Sequence, residues 1–115
     1  LIVRLYTGDD GQSHFEDISL DYQPHLPLSE RTLPQRAESI LFARHMPGYF
    51  MDWHDAPRRQ YVVFLAGQNE VTVGDGSSRV FRAGDILLAE DMGGQHTVRV
   101  IGDEPRVSLT VPLQE

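Results

Sequence analysis

Apolar residues along this chain come in short runs rich in Val, Ile, Leu, Phe and Tyr, most of them closed by Gly, Pro, Asp or Asn. That punctuation predicts an all-β domain with strands over 1–6, 15–20, 39–45, 49–53, 60–66, 70–73, 79–82, 85–89, 96–101 and 106–111. A spacing of roughly 8–12 residues between strands belongs to a sandwich or closed barrel. The run Glu70-Val71-Thr72-Val73 followed by Gly74-Asp75-Gly76-Ser77-Ser78 predicts a hairpin, because glycine supplies the positive φ of a tight reversal. Residues 22–34 hold three prolines and few apolar side chains, which predicts an irregular surface connection, with a helical turn over 31–38.

Alternation along a strand assigns its faces. His96, Val98 and Val100 share one side and Arg99 takes the other; Gln60 groups with Val62 and Phe64, and Asp52 groups with His54. Polar groups therefore enter an apolar interior at strand ends. Trp53 and Tyr61 are expected on the opposite face, as core or interface aromatics.

Composition narrows the function. The 115 residues suffice for one domain, 1–115, with one core. A formal charge of −7 leaves no basic patch for nucleic acid or for an anionic membrane surface. No apolar run approaches the ~20 residues that span a bilayer, and Leu1-Ile2-Val3-Arg4 lacks the pattern of a signal peptide, so the expected location is the cytoplasm. With no cysteine, neither disulfides nor thiolate metal sites are available.

Two segments carry a family resemblance. Gly48 to Gly67, containing His54, Ala56 and Gln60, resembles the first cupin motif, in which two histidines and a glutamate lie between glycines. Gly84 to Val100 resembles the second: Gly84, Gly93 and His96 match, Glu90 replaces a proline, and one residue is inserted before Gly93. The resemblance implies a double-stranded β-helix, a jelly-roll barrel of the cupin type. It also implies a divalent metal, Fe, Mn, Ni or Zn, held by His54, Gln60 and His96, with Ala56 standing where a second motif-one histidine is usual. An amide oxygen is a weaker donor than a carboxylate and carries no charge, so a metal-free site is the other expectation. Asp52 or Asp55 is a candidate for the missing carboxylate.

Without metal, His54 and His96 are candidate general acid and base, with Gln60 orienting a substrate against Phe64 and Val98. Arg44 or its neighbour His45 is a candidate anchor for an anionic substrate. His14 and Glu16 share a strand face and read as ordinary surface, and Glu90 and Asp91 read as loop residues before the Gly93-Gly94 turn, with a barrel-mouth carboxylate joining the site as the alternative. The functional expectation is a small cupin enzyme, of lyase, isomerase or dioxygenase type, acting on a low-molecular-weight substrate. The alternative is a non-catalytic module that binds or senses a small molecule. A homodimer is expected from the apolar strand faces, such as Leu41 with Ala43, that need covering.

Overall fold

The computed structural model describes residues 1–115 as an all-β domain of twelve strands without a helix. One sheet has six strands in the order β2 (Ser13–Asp17), β1 (Ile2–Thr7), β10 (Ile86–Glu90), β7 (Gln60–Ala66), β12 (Arg106–Pro112) and β5 (Leu41–His45). A second has four, in the order β6 (Phe50–His54), β11 (His96–Ile101), β8 (Gln68–Val73) and β9 (Ser78–Phe81). β1 runs parallel to β10, with Ile2 opposite Ile86 and Tyr6 opposite Glu90, and the other pairings of both sheets are antiparallel. No helix is long and apolar enough to cross a membrane.

All ten strands expected from the sequence are present, two of them (60–66 and 96–101) with the same bounds and the others with ends shifted by at most three residues. The β8–β9 hairpin turns on Gly76 at φ 89°. The 22–34 connection differs from expectation: it folds into a hairpin of β3 (Gln23–Leu26) and β4 (Ser29–Arg31). Its Pro24 is tolerated because a two-stranded ribbon has only edges. No helical turn forms over 31–38; the chain there crosses the outer face of the larger sheet, where Ala37 bridges Leu113 and the Gln35 amide donates to the Tyr61 hydroxyl at 2.9 Å. Residues Leu33, Pro34 and Ala37 line a groove there with Tyr61, Val63 and Val111.

The core lies between the sheets, where Val3, Leu5, Phe64, Val71, Val73, Phe81, Leu87 and Ala89 are buried in one cluster. Phe64 and Phe81 stack across it with centroids 5.1 Å apart, and each fully buried side chain of this size stabilises the fold by about 1.5–3 kcal/mol. Gly67, at φ 74°, turns β7 into β8 directly against the backbone of Pro105 and Arg106, where a Cβ would collide. Outside the core, Glu90 bridges Arg4 and Arg59, so this carboxylate belongs to an ion cluster and not to the barrel mouth. Phe42 on β5, and Phe50 and Trp53 on β6, are exposed.

Candidate functional site

Between the sheets, capped by residues 54–57, lies a cavity of about 170 Å³. His54 and His96 face one another across the β6–β11 ladder and both line it, with ring centroids 4.2 Å apart. His54 Nδ1 is 2.7 Å from the Asp52 carbonyl oxygen, and His96 Nδ1 is 2.6 Å from Asp91 Oδ2. Both partners only accept, so each Nδ1 carries the hydrogen and donates it. The neutral ring then keeps its lone pair on Nε2.

Alternation had grouped Asp52 with His54, and here the structure corrects it. Opposite His96 and Val98 stand His54 and Met51, two steps on β11 against three on β6. This bulge switches the inward parity, so Met51 and His54 line the cavity while Asp52 is exposed. The bulge also lets the Asp52 carbonyl fold back onto the ring two residues later. Asp55 lines the cavity but turns Oδ2 to the Gly93 N–H at 2.9 Å, pinning the 91–94 loop.

Asp91, read from the sequence as a loop residue, is the hub of the site. It is 0% exposed. Its Oδ2 accepts from the Ser13 hydroxyl at 2.6 Å as well as from His96, and its Oδ1 accepts from the Ala56 N–H at 3.1 Å. Burial alone would raise the carboxyl's pKa, but the hydrogen bonds from His96 and Ser13, the nearby imidazole and the Ala56 amide outweigh it and hold it below the ordinary 3.8. Asp91 is thus ionised and fixes the orientation of His96.

Gln60, Phe64 and Val98 all line the cavity. Arg44 does not: it is exposed, because β5 turns its neighbour His45 inward. The inward guanidinium belongs instead to Arg106, directly opposite His45 on β12 and only 9% exposed. Sequence reading missed it because β12 is inverted. Arg106, Ser108 and Thr110 point in, while Val107, Leu109 and Val111 take the outer face. The signal was a strand of alternating polar and apolar residues whose polar set faces a pocket. Arg106 Nη1 donates to Asn69 Oδ1 at 3.1 Å, and no ion pair involves the guanidinium. Burial pushes the pKa of Arg106 down without discharging it at neutral pH, and burial together with the Arg106 charge pushes His45 below its ordinary 6.5. His14, paired with Asp10, lies outside the cavity.

The fit of a metal can be judged from these donors. No three His, Cys, Asp or Glu side chains are placed so that together they could hold a metal ion: Asp91 is spent on Ser13, Ala56 and His96. Two imidazoles and the neutral amide of Gln60 supply no charge against a divalent ion, and the cavity already holds the positive charge of Arg106. Such a donor set does not fit a firmly held dication. The residues departing from the motif explain why: Ala56 is buried and its backbone is spent on Asp91, and Gln60 replaces the carboxylate.

No family model matches the chain, and no curated protein matches it. Among solved structures, it is similar to a conserved protein with a double-stranded beta-helix domain from Klebsiella pneumoniae, at 24% identity over 70% of this chain and 71% of that one, TM-score 0.55. A cupin-like protein from Thermotoga maritima aligns at 20% identity over 65% of this chain and 56% of that one, TM-score 0.56. A predicted oxalate decarboxylase from Thermotoga maritima aligns at 18% identity over 70% and 69% of the two chains, TM-score 0.55. With its strand order and these neighbours, the chain is a small domain of the cupin fold, the double-stranded β-helix.

Proposed function

We propose that the cavity is the active site of a small cupin-fold enzyme that moves a proton on a low-molecular-weight substrate through His54 and His96, without a resident metal. The observation that carries this is the anchoring of both rings: each Nδ1 lies within hydrogen-bond distance of an oxygen that only accepts, and the two rings face one another in the cavity, an arrangement that in the neutral form leaves Nε2 to accept. His96 is the base of the pair. When its Nε2 takes a proton from the substrate, the imidazolium is stabilised by the buried Asp91 carboxylate, which Ser13 and the Ala56 amide keep in place. Returning that proton to a neighbouring atom completes an isomerisation or epimerisation; expelling a leaving group instead completes an elimination. His54 is the second proton carrier, and Gln60 orients the substrate.

The test is hydrogen exchange. Small carbonyl compounds, hydroxy acids and sugars are incubated with the protein in D2O and their α-protons followed by NMR. Exchange that His96→Gln abolishes supports the reading; a panel that never exchanges, or exchange indifferent to His96→Gln, ends it. Ala56 favours a second reading, a binding module without turnover, since it fills the place of a ligand side chain with packed structure. Saturable binding by a compound that never exchanges would select that one.

A further inference from the structure

Only two buried side-chain polar atoms lack a hydrogen-bond partner: Arg106 Nε and Ser108 Oγ. They lie two residues apart on the inner face of β12; Arg106 lines the cavity, while Ser108 is fully buried outside its lining. Native proteins leave few buried polar groups unpaired, and an orphaned donor in a cavity wall is the mark of a missing acceptor. The charge tells the same story. Arg106 is 9% exposed, its one hydrogen-bond partner is the neutral Asn69 amide, and it sits in no ion pair. A buried cation without a counter-charge is costly, and a bound anion removes that cost.

We propose that Arg106, on the inner face of β12, forms a carboxylate subsite that binds the acid group of a small organic acid held in the cavity. A planar guanidinium with Nη1 already held by Asn69 offers its remaining edge, Nε–H and Nη2–H, as a two-pronged donor, the geometry that suits a carboxylate. Around it, Val62, Phe64 and Leu87 give apolar walls for a short carbon chain. The cavity of about 170 Å³ suits a ligand of about six to eight heavy atoms, since one of about 150 Å³ holds a benzene ring. The inference takes the cavity as the ligand site, as above, and adds the substrate class.

Butyrate and butyramide, matched in shape and different in charge, are the probes. Calorimetric titration of the full chain is expected to show butyrate binding at least tenfold tighter than butyramide, and butyrate is expected to shift the Arg106 Nε–H resonance of ¹⁵N-labelled protein. Arg106→Gln brings the two affinities within about twofold, while Arg106→Lys restores only part of the preference, because an ammonium lacks the fork. Equal affinity for the two probes, no binding of either, or an Arg106 signal that ignores butyrate would overturn the subsite. The D2O assay separates the two claims: butyrate preference without any exchange removes proton transfer alone, and exchange without butyrate preference removes the subsite alone.

Discussion

Replacing Asp91 by Asn changes one atom and inverts the logic of the dyad. Oδ1 must stay toward the Ala56 N–H, which can only donate, so the new NH2 group takes the place of Oδ2. That oxygen accepted two hydrogen bonds of 2.6 Å, from Ser13 and from His96. Ser13 can rotate its hydroxyl to accept. His96 accepts at Nδ1 only by moving its hydrogen to Nε2, which turns the cavity-facing nitrogen from a base into a donor. Hydrogen bonds to a charged group contribute about 1.5–3 kcal/mol and neutral ones about 0.5–1.5. Two such exchanges lose about 2–3 kcal/mol, and relief from burying the carboxylate offsets part of it. The expected net loss is about 2 kcal/mol, a fall of about 6–10 °C in Tm for a domain of this size. The assay pairs thermal unfolding with long-range ¹H–¹⁵N correlation of the His96 ring, which reports which nitrogen is protonated. An Asp91→Asn protein with unchanged Tm and hydrogen still on Nδ1 would refute the reasoning.

Three further outcomes are expected. Because folding holds the Asp91 carboxyl below 3.8, the unfolded chain binds more protons in that range; its stabilisation is complete above the ordinary value and lost as pH falls through the folded one. Urea midpoints between pH 2 and 6 (about two units either side) should show this acid limb flattened in Asp91→Asn, and equal slopes in the two proteins would contradict it. Gly67→Ala drives a Cβ into the Pro105 backbone from a positive-φ turn, for an expected loss of about 2 kcal/mol or more by urea unfolding; a loss under 0.5 kcal/mol, about the level of a neutral surface change, would show that the turn relaxes freely. Leu28 stands fully exposed at φ 60° in the β3–β4 turn, where Asn is better tolerated. Leu28→Asn should raise the urea midpoint by an amount worth about 0.5–1 kcal/mol, and a lowered midpoint would mean that the leucine has a role at the turn.

The fold was legible because ten strands carry either clean alternation or a continuous apolar run between glycines, and the pairing of His54 with His96 was legible from their motif spacing. What stayed hidden had physical reasons. The β6 bulge leaves no mark in composition, so alternation placed Asp52 with His54 when the extra residue brings in Met51 instead. Asp91 read first as a loop residue, and only alternatively as part of the site, because its three donors come from Ser13, Ala56 and His96, two of them far along the chain. Arg106 was overlooked because a polar stripe on a strand ordinarily faces water. Here the apolar stripe of β12 faces outward, and Val111 at its end meets the 32–37 segment.

The parallel union of β1 with β10 has a consequence for how the molecule is made. β2 follows β1 at once and pairs with it, but the parallel partner β10 begins only at Ile86, and Ser13 must wait for Asp91. The residues that complete the core around Val3 and Leu5 (Phe64, Val71, Phe81 and Leu87) all come late in the sequence, and the Asp91–His96 pair comes later still. Closure across so much sequence is slow relative to local folding, so the site forms only when the two ends of the domain meet.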